Sequence, residues 1–206
     1  MIPALEALEK LKEGNLRFVN GESAEIHRTH KLVDNQEPFA IVLGCSDSRV
    51  PPEILFDHGV GDMFVIRIAG NIVTPLELGS VEFASIKFGP RLVVVLGHSC
   101  CGAVQATVET LSTGGDVSEL SEGMQTIVRH IGVSVDLDQD DGIEAINAHT
   151  IEANVRNSVQ QIRHGSDVLE DLIANKGVVV VGAVYSLDTG AVEFIDCPDL
   201  VSSSNA

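Results

Sequence analysis

Basic residues are scarce in this chain: thirteen Lys and Arg stand against thirty Asp and Glu, a formal net charge of −17. So acidic a balance argues against nucleic acid and anionic membrane as partners, because both call for a basic face. No apolar run approaches the ~18 residues of a membrane span. The opening MIPALEALEKLKEGNLRF has no basic stretch leading into an apolar one, so no secretory leader is expected. Cysteines stand at 45, 100, 101 and 197, without the spacing of a disulfide framework and with no Cys-x-x-Cys redox pair. Such usage fits a reducing, cytoplasmic setting, in which Cys grouped with His points to metal or catalysis. Internal repeats and linkers are absent as well.

What remains is a globular composition. With 206 residues and 44 % apolar side chains, the chain is long enough to bury one substantial core. Four short runs rich in β-branched residues predict strands: Phe39 to Leu43, Met63 to Ile68, Leu92 to Leu96 and Val178 to Val184. None alternates with polar residues, as expected of parallel strands covered on both faces. Helical spacing runs between them, over Leu76 to Phe88, Ala103 to Leu111, and a longer stretch carrying Ile143, Ile146, Ile151, Val155, Val159 and Ile162. The opening segment places Leu5, Leu8, Leu11 and Leu16 on one side of an amphipathic helix. Leu187-Asp-Thr-Gly190 supplies turn chemistry for a closing hairpin. Asp136 to Asp141 reads as a loop, and the residues from 198 onward as a mobile tail. The expected fold is a single α/β domain over 1–206, a central, mostly parallel sheet flanked by helices.

Two segments carry the chemistry: Leu43-Gly-Cys45-Ser-Asp47-Ser-Arg49-Val-Pro-Pro-Glu53 and Leu96-Gly-His98-Ser-Cys100-Cys101-Gly102. Each follows a predicted parallel strand and so falls at the carboxyl end of the sheet, where open α/β folds build their sites. Zinc accepts thiolate sulfur and imidazole nitrogen, and three protein ligands leave a fourth position for water. His98 and Cys101 make a local bite that Cys45 closes. A carboxylate at Asp47 is placed to ligate the metal or to accept a hydrogen bond from its water, and Arg49 to hold that carboxylate by a bidentate pair. Pro51-Pro52 suits a helix start that fixes the turn. Singly these residues are commonplace; at matching strand ends they point to a metal.

Cys-x-Asp-x-Arg followed by His-x-x-Cys resembles the signature of the β-class carbonic anhydrases, and the similarity runs from about Leu5 through Ile195. The resemblance implies one zinc ion per subunit on Cys45, His98 and Cys101, with Asp47 and Arg49 as a catalytic dyad assisting zinc-bound hydroxide in the reversible hydration of carbon dioxide to bicarbonate. Phe64, Ala69 and Phe83 would line a small apolar pocket, with Phe83 where many members have Tyr and Ala69 where many have Val. Gln36 matches a glutamine that bonds substrate across a dimer interface. The resemblance further implies a homodimer or higher homo-oligomer, its N-terminal helix packed on the partner. Members that close the site by swinging the aspartate onto zinc carry Trp three residues before the first Cys ligand. Here that residue is Val42 and the chain has no Trp, so an open site is expected although Arg67 matches that subgroup. Cys100 and Cys197 are not expected to be ligands. His27, His30 and His58 are titratable candidates for moving the proton. Zinc-dependent hydrolysis of carbonyl sulfide or carbon disulfide, and a non-catalytic structural zinc module, are the rival readings.

Overall fold

A computed structural model describes residues 2–23, 35–137 and 142–197. His27 and His30, the tail from 198, and 138–141 of the acidic loop lie outside the described residues.

Five strands form one sheet in the order β2-β1-β3-β4-β5. These are β1 (Ala40–Gly44), β2 (Met63–Arg67), β3 (Leu92–His98), β4 (Val179–Tyr185) and β5 (Val192–Asp196). The first four pair in parallel, and β5 folds back antiparallel on β4. The four apolar runs became the four parallel strands within one or two residues, and the Leu187–Gly190 turn closes the β4–β5 hairpin. β1 and β3 are buried at every position. Their alternate residues feed two cores: Val42, Val94 and Leu96 on one face, Ile41, Leu43, Val93 and Val95 on the other.

Helices α1 (Ala4–Val19), α2 (Pro52–Leu55), α4 (Gly102–Ser112) and α5 (Glu122–Gly132) supply the first core, α3 (Pro75–Lys87) and α7 (Asp167–Lys176) the second, and α6 (Ile143–His164) both, with Ile146 and Ile151 in the first and Val155, Val159 and Ile162 in the second. The central helix is α6. Val155 presses so closely on the sheet that a Cβ on Gly97 would lie 2.5 Å from it, and one on Gly182 2.8 Å. No helix among the described residues is long and apolar enough to cross a membrane.

The N-terminal helix departs from the face expected for it. Leu8 and Leu11 are buried in the chain's own core with Ala4 and Ala7, whereas Leu5 and Leu16 are exposed with Val19. What seats α1 is backbone contact and one amide. Gly14 lies against Phe56, whose carbonyl oxygen would be 1.8 Å from any Cβ there. The buried Asn15 donates to the carbonyls of Leu55 (3.0 Å) and Gly190 (2.9 Å) and accepts from the Val192 N–H (2.8 Å). Arg17 pairs with the buried Asp57 carboxylate.

Asn15→Ala would therefore strand three backbone groups at once. A loss of about 3 kcal/mol is expected, read as a fall of roughly 6–12 °C in the thermal midpoint for a chain of this size. A midpoint within a degree or two of wild type would show that α1 is held by its apolar face alone.

Candidate metal centre

In the sheet order, β1 runs to β2 on one side and β3 lies on the other, so the chain reverses direction between the carboxyl ends of β1 and β3. This is the crevice in which open α/β sheets place ligands. Cys45 leaves β1 there, and His98 ends β3 beside it. Cys101 caps α4 three residues on. The Cys45 and Cys101 sulfurs and a His98 ring nitrogen lie within 4.8 Å of one another, all buried, with no fourth His, Cys, Asp or Glu donor in the group among the described residues.

Each donor is aimed by its neighbours. His98 Nδ1 lies 2.9 Å from the Ser99 carbonyl. A carbonyl only accepts, so Nδ1 carries the hydrogen and Nε2 presents its lone pair. That Nε2 is buried with no hydrogen-bond partner. Ser99 is itself fixed by accepting from the Leu187 N–H at its hydroxyl (2.9 Å) and by donating its own N–H to the Tyr185 carbonyl (2.9 Å). Gly70 donates its N–H to the Cys45 sulfur at 3.4 Å. The Cys101 sulfur faces the N–H groups of Ala103 and Val104, where the positive end of a helix favours thiolate.

The two thiols move in opposite directions. The neighbouring Cys101 thiol lowers Cys45 most, with the Asp47 and Gly70 N–H groups adding to it, against burial that raises it. Cys101, as donor to that sulfur and as a buried group, is pushed up. A cation takes the place of thiol protons when such a site is loaded. Two soft sulfurs, an orphaned buried imidazole nitrogen and no fourth protein donor fit zinc with an open coordination position.

Beside the cluster, Asp47 and Arg49 form a clamp. The Asp47 Oδ1 accepts from the Arg49 N–H (2.9 Å) and Nε (3.0 Å), and Oδ2 from an Arg49 terminal nitrogen (2.8 Å). The Arg49 hydrogen bond, above all, holds the Asp47 carboxyl well below the ordinary carboxylate range. Arg67 fixes the loop beneath by donating to the carbonyls of Cys45 (3.0 Å) and Asp47 (2.6 Å). Pro52 starts α2 at its first turn, as the Pro-Pro pair foretold. The Asp47–Arg49 pair is the one the sequence pointed to; Arg67 was noted only for its pattern match, and neither its bonds to the loop carbonyls nor the roles of Gly70 and Ser99 are revealed by any local spacing.

The expected pocket residues are not gathered at the cluster within one chain. Ala69 is there, opening the turn that supplies the Gly70 N–H. Phe64, Phe83 and Phe88 pack together with ring centroids 5.8–6.3 Å apart. Gln36 lines a hollow of about 590 Å³ with Lys10, Phe39, Lys87 and Phe88. This group sits at the amino ends of β1 and β2, a strand length of about 16 Å away from the cluster. His58 is at that end too, edge-on to Phe39 with ring centroids 4.8 Å apart. Cys100 and Cys197 are exposed and free.

Comparison with known proteins accords with this geometry. A family model described as carbonic anhydrase matches residues 40–192. The carbonic anhydrase of Mycolicibacterium smegmatis is 39 % identical over 91 % of this chain and 91 % of its own length. Carbonic anhydrase 2 of Mycobacterium tuberculosis is 37 % identical over 89 % of each. Among solved structures, a tetrameric β-carbonic anhydrase from Sordaria macrospora superposes with a TM-score of 0.70 at 23 % identity, over 81 % of this chain and 85 % of that one. The Coccomyxa β-carbonic anhydrase in complex with acetazolamide gives 0.69 at 22 % identity, over 93 % and 82 %.

One zinc per chain is the expected content by elemental analysis, lost in Cys45→Ser, His98→Asn and Cys101→Ser and retained in Cys100→Ser and Cys197→Ser. In the loaded native protein a thiol reagent should titrate two cysteines rapidly, and four after chelation. Loss of zinc in Cys100→Ser would reassign the ligand set.

Proposed function

The chain belongs to the β-class carbonic anhydrases, and from that premise we propose that Cys45, His98 and Cys101 hold a zinc ion at which carbon dioxide is reversibly hydrated to bicarbonate and a proton, with Asp47 and Arg49 as the catalytic pair. The observation that carries this reading is the juxtaposition of a three-donor buried cluster with a carboxylate clamped two residues along the same loop. A structural zinc is ordinarily closed by four ligands and has no use for such a clamp.

Zinc, when bound, supplies the Lewis acidity that makes water nucleophilic near neutral pH. The chain's own residues supply orientation. An ionised carboxylate has about four acceptor sites and no hydrogen to give. Arg49 fills three of those on Asp47, leaving one to take the hydrogen of the attacking water and turn its lone pair toward carbon. Arg49 also keeps Asp47 ionised and turned to itself, which supports the open arrangement expected from Val42. Arg67 holds the carbonyls of the loop so that Asp47 and Cys45 move as one piece.

Phe64, Phe83 and Gln36 enter this reading only through a second copy, because within one chain they lie at the other end of the sheet. A homo-oligomer in which that end covers a partner's cluster would complete an apolar pocket for a nonpolar gas and place the Gln36 amide against the product bicarbonate. Four free thiols suit the cytoplasmic setting.

Stopped-flow hydration by zinc-loaded protein is expected at both pH 7 and 8.5. Asp47→Ala should lower kcat/KM by about 100-fold or more, and Arg49→Ala by about 10–100-fold, both with zinc retained. Acetazolamide, bound by the Coccomyxa relative, should inhibit. Activity confined to pH 8.5 would overturn the open arrangement. Full zinc content with no hydration at either pH would overturn the reaction, and the same sample assayed on carbonyl sulfide and carbon disulfide would separate hydrolase from structural zinc.

A further inference from the structure

We infer that Asn154 of α6, with Ser158 one turn on, is a positioning residue for the metal centre, acting through the Ala69–Asn71 turn on the sulfur of Cys45. The inference rests on the reading of Cys45 as a zinc ligand.

The turn is an unusual piece of backbone. Gly70 and Asn71 both lie in the left-handed region, at φ 70° and 44°. For Asn71, which carries a Cβ, this is a strained conformation. Gly70 has no alternative, since a Cβ there would stand 2.7 Å from Ile131 Cδ1 and 3.3 Å from the Ala103 Cβ. The conformation aims the Gly70 N–H at the Cys45 sulfur. It needs support from outside the turn, and α6 provides it. Asn154 Nδ2 donates to the Gly70 carbonyl at 2.7 Å, and the Ser158 hydroxyl donates to the Asn71 carbonyl at 3.0 Å. The two side chains are four residues apart on one face of α6, so consecutive peptide planes of the turn are pinned by consecutive turns of the helix.

The amide is a costly choice for this position. Asn154 is 1 % exposed, and its Oδ1 has no partner. Because the Gly70 carbonyl only accepts, the NH2 group must face it, and the oxygen cannot rotate away to find another bond. The oxygen is taken out of water with no bond in return, a penalty that an apolar residue would not carry at that atom. Val155 and Val159, the adjacent α6 residues, show that the helix accepts apolar side chains deep in the core. The polar pair at 154 and 158 therefore serves the turn rather than the packing. An N–H bond to a metal-bound sulfur draws charge from it, and groups that orient ligands in this way influence metal affinity by about 10–100-fold.

The decisive variant is Asn154→Leu, similar in volume but without a donor. Three properties would be read: thermal stability of the zinc-free protein, zinc affinity by competition with a chromophoric chelator, and the thiolate-to-metal absorption of the cobalt-substituted protein. A positioning role predicts a zinc-free protein that still folds, with some loss of stability from the Gly70 carbonyl left without its donor, zinc affinity weaker by about 10–100-fold, and a displaced cobalt–thiolate band. Unchanged affinity and an unchanged band would overturn the proposal. If Asn154→Leu does not fold, Ser158→Ala probes the same turn, with about a threefold to tenfold loss of affinity expected and no loss overturning it. Cys45→Ser run alongside separates the two layers of argument. Zinc bound as tightly by Cys45→Ser as by wild type refutes the ligand reading itself, whereas its loss there, with Asn154→Leu unaltered, refutes only the role of Asn154.

Discussion

Two sulfurs and an imidazole nitrogen crowded within 4.8 Å in a buried crevice are the constraint on which the rest of the site depends. Two thiolates so close cannot both carry charge in a low-dielectric interior unless a cation lies between them. Without one, at least one of the two sulfurs stays protonated. The fold accommodates the crowding by delivering the three donors from structures that cannot drift. Cys45 and His98 come off adjacent parallel strands buried at every position, and Cys101 is the first residue outside a helix. Positive ends of dipoles converge on both sulfurs: the start of α4 on Cys101, and the N–H of Gly70 on Cys45.

That convergence explains features that would otherwise look like poor design. The Ala69–Asn71 turn holds two successive residues in the left-handed region, one of them not glycine, and a long core helix carries an asparagine with an unsatisfied oxygen. Both are local penalties of about 1–3 kcal/mol. They make sense as the means of keeping one N–H on one sulfur. The same economy governs the outer side of the site, where Arg49 and Arg67 divide the loop between them. One holds the Asp47 carboxylate and the other the backbone carbonyls on either side of Ser46. In a chain of net charge −17, two arginines bearing on one short loop, Arg49 from the loop itself and Arg67 from the end of β2, are a local reversal of sign.

Most of the fold was legible in the sequence, because β-branched runs and helical periods are local signals. The three donors were legible as well, since each follows a strand in a short motif and strand ends are where such sheets place ligands. Helices α5 and α7 carried no signal that was read, and the buried face of α1 was misjudged. Leu5, Leu8, Leu11 and Leu16 look alike in sequence, but only two of them face the chain's own core, because Gly14 and Asn15 set the rotation of the helix through contacts with residues 40 and more positions away. Asn154 and Ser158 were invisible for the same reason. Their partners lie 84 and 87 residues off, and a polar residue within a helical period reads as an exposed one until the turn it meets is known.

The separation of the donor cluster from Gln36, Phe64 and Phe83 bears on assembly. A strand five residues long does not bend to bring its two ends together, so no rearrangement within one chain can unite them. Meanwhile α3, next to the aromatic group, leaves Leu76 79 %, Phe83 54 % and Ile86 66 % exposed, which is more apolar surface than a single helix of a monomer ordinarily shows. Under the proposed reaction both facts have one resolution. If the amino end of one sheet covers the carboxyl end of another about a two-fold axis, the same operation places the second chain's amino end over the first chain's cluster. Each interface then closes two sites at once and covers the apolar face of α3. The pocket for a neutral gas is, on this argument, a property of the pair, and the metal centre a property of the chain.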